Sequence, residues 1–230
     1  MDNSTEKLDE AIDACIENGR RLLEDSEYLN EYDRFPTAKA LAILAQEEFA
    51  KAYIIKLVQE GALPWCDEIL RATRDHHCKQ LMSILMEYLF TPWEDAESMM
   101  ERDRKIREKY PDFLLPNKVA DALNIFCHEK IERWKSSSWF CAEDPKYDVE
   151  AKKVWKGKIE KTKQNALYVS IGKDGKVTNI PRNDSDDVNK SIEYAKILEE
   201  VASGHDVFAF TEKEYVKSAL KEIFGNIYNE

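Results

Sequence analysis

Residues 36–59 read PTAKALAILAQEEFAKAYIIKLVQ. A proline opens the segment, six alanines lie between positions 38 and 52, and no glycine interrupts it, so it is expected to be one long helix. Leu41, Ala45, Ala52 and Ile55 share one stripe of period 3.6, and Glu48 stands at the middle of it. A carboxylate therefore occupies a place where core is expected. The small alanines would let a neighbouring helix approach closely. Downstream, residues 66–90, CDEILRATRDHHCKQLMSILMEYLF, carry a second stripe of Cys66, Leu70, Leu81, Ile84 and Tyr88, with His77 at its centre. The turn between the two segments, Gly61-Ala62-Leu63-Pro64, is centred on 62.5, which is also the mean of positions 48 and 77. An antiparallel hairpin would then set Glu48 beside His77. Lys51 lies one turn from Glu48, and Arg74 and His76 add charge at the same level. The expectation is a polar cluster across a helix interface.

Further outward, the pattern is mostly helical. Asn3 with Glu6 reads as a capping pair opening a helix to about Tyr28. Thr91-Pro92-Trp93-Glu94 is a capping box for a helix to about Tyr110, which Pro111 stops. Asn117 opens a helix through Lys135, and Asp148 another through about Gln164. The pattern then changes to Leu167-Tyr168-Val169-Ser170-Ile171, a turn at Lys173-Asp174-Gly175-Lys176, and Val177-Thr178-Asn179-Ile180, which predicts a hairpin over about 167–180. An isolated hairpin is marginal in water, so it is expected to lie against the helical body. Helices from Ser185 to Ala202 and from Thr211 to about Tyr228 close the chain. The fold class is mainly α, an antiparallel helical bundle with one short hairpin. It is read as a single domain over 1–230, with a core bundle at about 4–164 and the hairpin and the helices of 185–228 packed on it.

Composition bounds the function. The 230 residues are 43% hydrophobic with a formal charge of −11, enough apolar content for a sizeable core and the wrong sign for non-specific coating of nucleic acid. The charge is uneven. Residues 1–33 hold eleven acids against three bases, whereas 146–163 hold seven lysines against Asp148, Glu150 and Glu160, with Tyr147 and Trp155 interleaved. That strip reads either as a solvated helix face or as one turned to phosphate. No apolar run approaches the ~18 residues of a membrane span, and the acidic start is unlike a signal peptide, so a cytoplasmic location and no membrane partner are expected. Five cysteines without CxxC spacing predict reduced, mostly buried thiols and no structural metal. Cys127-His128-Glu129 lacks a second ligand pair at metal spacing. The five tryptophans are scattered as helix-contact anchors.

Three stretches carry a resemblance. Ala42-Ile43-Leu44-Ala45-Gln46-Glu47-Glu48-Phe49-Ala50-Lys51-Ala52 resembles the Glu-Glu-x-x-Lys-Ala helix of the AbiV family of bacterial abortive-infection proteins. Asp75-His76-His77-Cys78-Lys79 resembles its His-x-x-Lys signature, and Ala166-Leu167-Tyr168-Val169 with Asp174-Gly175 and Pro181 resembles its LYV…DG…P hairpin. The three follow in the family's order over about residues 5–205. The resemblance implies a HEPN-type helical fold, a phage-defence role and, as an expectation, the metal-independent ribonuclease activity of many HEPN proteins, with no cofactor. Such proteins often form homodimers, act on RNA or a translation component, and can answer a phage-encoded protein trigger. It also implies an Arg-x4-6-His motif, which Arg71 with His76 or His77 meets in spacing. Ala72 follows the arginine where a polar residue is usual, and Arg71 points about 120° away from His77 at ~100° per residue.

The candidate catalytic residues are thus Glu48, Lys51, His76, His77 and Arg71. Glu47, Arg74, Lys79 and Tyr168 are the candidates for substrate contact. The signature favours His76 as the functional histidine, because Lys79 stands three residues later, while the helical stripe favours His77. A histidine would move the ribose 2′-hydroxyl proton, Lys51 or an arginine would offset the phosphorane charge, and Glu48 would orient the ring. Two other readings stand beside catalysis: a charged pair that specifies core packing, and a surface that holds a protein or RNA partner without cleaving it.

Overall fold

A computed structural model describes residues 3–90, 115–136 and 146–204, and 217–228 apart from 219, 223 and 226. Helix α1 (Asn3–Glu31) and helix α2 (Phe35–Gln59) are joined by three residues and pack along their lengths, so they run antiparallel. Pro36 lies in the first turn of α2, where its missing N–H costs nothing. The alanines do what small residues allow: Ala38, Ala40, Ala42, Ala45 and Ala50 are fully buried, and α2 becomes the central helix, covered by its neighbours on nearly every side. The tightest approach is at Gly19, where a Cβ would stand 2.5 Å from Phe49 Cε1. Phe49 is fully buried and has nowhere to move. Gly19→Ala is therefore expected to lower the urea midpoint: overpacking costs about 1–3 kcal/mol, more than the ~1 kcal/mol that alanine returns in helix propensity.

After α2, the segment 66–90 forms two helices and not the single one expected. Helix α3 (Asp67–Ala72) ends where Thr73 Oγ1 bonds back to the Leu70 carbonyl at 2.8 Å. Helix α4 (His76–Phe90) starts afresh with Asp75 as its cap, the carboxylate accepting the Cys78 N–H at 2.9 Å. The chain resumes in α5 (Asn117–Asn124), widens into a π-helical stretch (Ile125–Glu132) and finishes in α6 (Arg133–Ser136), matching the span expected from Asn117. Glu129 on the π stretch accepts Tyr147 Oη at 2.6 Å and Trp155 Nε1 at 3.1 Å, tying it to the next helix.

The helix expected from Asp148 is also divided. Asp148 caps α7 (Val149–Trp155), Gly157 in the left-handed region (φ +66°) breaks it, and α8 (Lys158–Leu167) follows. The break lets α7 lie on α4 and α5 while α8 lies on α2.

Strands β1 (Ser170–Ile171) and β2 (Val177–Asn179) pair antiparallel within the expected hairpin. Its placement differs from expectation: Tyr168, Val169, Ile171, Val177 and Ile180 are exposed, and the attachment is polar, from Asn179 Nδ2 to the carbonyls of Asn165 (2.9 Å) and Tyr168 (3.0 Å). Helix α9 (Ser185–Ala202) crosses α2, α1 and α4. Buried Lys39 pairs with Asp187, Gln46 Nε2 donates to the Ser191 carbonyl at 2.8 Å, and Arg20 meets Glu199 at 2.5 Å. Helical residues between 217 and 228 add Phe224 and Tyr228, which stack on each other; Phe224 also meets Phe126 edge-on.

The helix expected over 91–110 and the start of the one expected from Thr211 lie outside the described residues. The described cysteines, Cys15, Cys66, Cys78 and Cys127, are unpaired thiols, and all but Cys66 are buried. Trp65 is 53% exposed and anchors nothing in the core. Among the described residues no helix is long and apolar enough to cross a membrane.

Candidate functional site

Three helices converge on one buried carboxylate. Glu47 lies on the side of α2 that faces α4 and α8, and its side chain is 2% exposed. Because α4 restarts at the Asp75 cap, His76 is its first residue, and Lys79 and Gln80 follow at i+3 and i+4 on the same face. From α8 come Glu160 and Lys163, again three residues apart. Glu47 Oε2 contacts His76 Nδ1 at 2.5 Å and Lys79 Nζ at 3.1 Å; Oε1 accepts from Lys163 Nζ at 2.8 Å and Gln80 Nε2 at 3.1 Å. Glu160 Oε2 meets Lys163 Nζ at 2.7 Å and stands 3.8 Å from His76 Nδ1.

Burial pushes the Glu47 carboxyl up, but Lys79, Lys163 and the hydrogen bond from His76 outweigh it and hold the group below the ordinary carboxylate value. Glu160 is held down in the same way, burial opposed by Lys163 and Gln164. Glu47 is thus a fixed anion at neutral pH. An anion at 2.5 Å demands a proton on His76 Nδ1, which leaves Nε2 as the basic nitrogen. The His76 side chain is 45% exposed although its partner is sealed. This is a proton-transfer arrangement with one end in the core and the other at the surface.

Glu47, His76 and Glu160 offer ligand atoms within 4.8 Å of one another, close enough for a divalent cation. The centre of that triangle already holds a charge, since Lys163 Nζ lies 2.8 Å from Glu47, 2.7 Å from Glu160 and 3.2 Å from His76 Nδ1. An ammonium stands where a metal would sit.

The residues singled out from sequence divide between several places. His76, Lys79 and Glu47 meet. Glu48 does not join them: it pairs with Lys51 at 2.7 Å on another face of α2, where both act on Cys15 of α1. The expected Glu48–His77 pairing therefore fails by one residue on each helix. The physical reason is that α2 is buried nearly all round, so its apolar stripe marks no single face, and that the break at 73–75 resets the rotation of α4.

His77 sits in a neighbouring polar group, with Nδ1 3.3 Å from Lys130 Nζ and 3.9 Å from Asp75. Arg71 lies over the Trp134 ring at 4.4 Å and is not part of the Glu47 cluster. Arg74 is exposed, without an ion pair among the described residues. Tyr168 is 63% exposed at the base of the hairpin.

Burial and then Lys130 lower the His77 pKa below the ordinary imidazole value of 6.5, against the opposing pull of Asp75 and Glu160. Above pH 6.5 the ring is neutral in both folded and unfolded chains and contributes nothing. Below it the unfolded chain takes the proton first, so stability falls. His77→Gln is expected to flatten that loss in the first unit or so below pH 6.5, as read from urea midpoints; an unchanged slope would contradict it.

Gln80, Glu160 and Lys163 were not singled out. Lys163 had a signal: it lies on the stripe Ile159, Lys163, Ala166 at i, i+4, i+7, and it is 5% exposed, unlike its neighbours in the lysine-rich strip. A lysine on an apolar stripe needs a carboxylate in the opposing helix.

A family model described as AbiV, of the HEPN type, matches residues 7–200, a span that includes every residue of the cluster. No curated protein and no solved structure matches the chain.

Proposed function

This chain belongs to the AbiV family of HEPN proteins, and from that premise we propose that it cleaves RNA without a metal, with His76 as the proton-transfer residue. A role in abortive infection, the defence of bacteria against phage, comes with the family; the chemistry is our reading. The observation that carries it is the His76–Glu47 contact, a sealed carboxylate gripping one nitrogen of a half-exposed imidazole.

In this reading Nε2 of His76 removes the proton from a ribose 2′-hydroxyl. The oxygen attacks the adjacent phosphorus, and the 5′-oxygen leaves with a proton from water. The products are a 2′,3′-cyclic phosphate and a 5′-hydroxyl. Glu47 keeps the ring in the productive tautomer and stabilises the imidazolium that forms. Arg74, two residues before His76 and exposed, is the cation assigned to the charge that builds on the phosphate oxygens. Lys51, paired on the far face of α2, is not. A homodimer, and RNA within the translation machinery as the target, belong to the same proposal.

Purified protein incubated with total cellular RNA in excess EDTA is expected to leave 2′,3′-cyclic phosphate ends at the rate seen without chelator. Loss of cleavage on chelation would overturn the metal-free chemistry, and no cleavage under any condition would favour a partner-binding role for the same surface.

A further inference from the structure

The lysines of the strip at 146–163 differ in their partners. Its three acids are committed: Asp148 caps α7 by accepting the Glu150 N–H at 2.8 Å, Glu150 pairs with Lys153 at 2.6 Å, and Glu160 pairs with Lys163 at 2.7 Å. Lys156, Lys158 and Lys161 are exposed, and each is without an ion pair among the described residues. In a chain with 45 acids against 34 lysines and arginines, three lysines so placed within 156–161 reverse the local sign. A concentrated positive surface on an acidic protein attracts a polyanion to that place and to no other.

The fold ties these lysines to the Glu47 cluster. The break between α7 and α8 lies against the start of α4, where a Cβ on Gly157 would stand 3.2 Å from His77 Nε2. Lys156 and Lys158 flank that glycine, so two cations are held beside the end of α4 whose first residue is His76. One turn into α8, Glu160 stands 3.8 Å from His76 Nδ1, and the next residue, Lys161, is turned out to solvent. Arg74 approaches the same end of α4 from the preceding turn and is exposed as well.

The aromatic residues of the strip are turned elsewhere. Trp155 donates to Glu129 at 3.1 Å and meets Tyr147 edge-on at 6.0 Å, and Tyr147 donates to the same carboxylate. Both rings are half-buried against the π-helical stretch, so the three lysines present charge with neither ring beside them for a base to stack on.

We propose that Lys156, Lys158 and Lys161 hold the sugar–phosphate backbone of a single-stranded RNA whose cleaved linkage lies at His76, gripping phosphates and not bases. The inference rests on the ribonuclease reading above. The strand is single because in-line attack of a 2′-hydroxyl needs a linkage free to rotate.

Two measurements separate this proposal from the reading it rests on. The first titrates wild-type protein with a 2′-O-methyl oligonucleotide, which cannot be cleaved, by fluorescence anisotropy over a series of salt concentrations. Replacing all three lysines, Lys156→Gln, Lys158→Gln and Lys161→Gln, is expected to make the slope of log K against log salt shallower by about 2, since each single-strand phosphate contact is worth ~0.7. Lys7→Gln, Lys190→Gln and Lys221→Gln, which remove the same charge from exposed sites elsewhere, are expected to leave the slope as it is. Oligomers of A and of U are expected to bind equally. All six lysines are exposed, so circular dichroism and the urea midpoint stay near wild type in both sets. The second measures wild-type cleavage of the matching RNA. A slope lowered by the first set alone, with the RNA left uncleaved, would uphold the phosphate grip and overturn the ribonuclease reading. Cleavage with a slope and a KM that the first set leaves unmoved would overturn the grip and leave the ribonuclease standing. A slope lowered equally by both sets, or a preference of about tenfold or more for one base, would also overturn the grip. No binding at low salt would overturn it outright and leave the strip to an acidic protein partner.

Discussion

His76→Ala is expected to reduce RNA cleavage by about 10²–10⁴-fold, the usual worth of a positioned acid or base, and to leave the fold intact. Its side chain is 45% exposed, so little apolar surface is uncovered. Glu47 keeps Lys79 and Lys163 as partners when the imidazole is gone, so no charge is stranded. The same assay on His77→Ala separates the two histidines, because His77 contacts Asp75 and Lys130 and does not touch Glu47. The decisive readout is the initial rate in protein shown folded by circular dichroism. A folded His76→Ala variant within a few-fold of wild type would end the assignment.

Removing Glu47 should act mainly on stability. Glu47→Ala strands Lys79 and Lys163, whose side chains are 8% and 6% exposed, and leaves Lys163 with Glu160 as its one carboxylate partner among the described residues. Breaking one side of a buried pair costs about 3–5 kcal/mol, a large part of the ~5–15 kcal/mol that holds a domain together. Urea unfolding measures it directly. Substituting Lys79→Met in the Glu47→Ala background should recover part of the loss, since one stranded charge goes with it, and a double-mutant cycle would show strong coupling. A loss below about 1 kcal/mol would mean that water reaches the cluster.

The pH dependence has the same origin and a definite sign. The Glu47 carboxyl is held below the ordinary carboxylate value of 4.5, so its stabilisation is fully present above that value. It is lost as acid protonates the folded group.

Much of this was legible in the sequence because each local signal agreed with the final arrangement. Pro36, the alanine run and the Gly61–Pro64 turn announced two adjacent helices, and the mean of positions 48 and 77 placed the polar level to within one residue of the true pair, Glu47 and His76. One residue is about 100° around a helix, however, and the face was missed. In α2 the cause is burial on nearly all sides, which leaves no polar face to orient the count. In α4 it is the Asp75 cap, a tertiary restart inside a segment whose apolar spacing reads as continuous. The His-x-x-Lys signature was the better guide because both of its members, His76 and Lys79, reach the same carboxylate. Lys163 was obscured by six other lysines between 146 and 161, a composition that reads as solvated surface. Only its place between Ile159 and Ala166 set it apart.

The ammonium at the centre of the cluster is separated from its carboxylate by 116 residues of chain. Ribosomes add about 5–20 residues per second, and domains fold as their parts emerge. Glu47 and His76 therefore leave the ribosome on the order of ten seconds before Lys163 does. A nascent chain in that interval has the carboxylate and the imidazole but lacks α8, which supplies both Lys163 and Glu160. The complete cluster forms only once α8 has emerged, and until then Lys79 is the buried cation that Glu47 has for a partner.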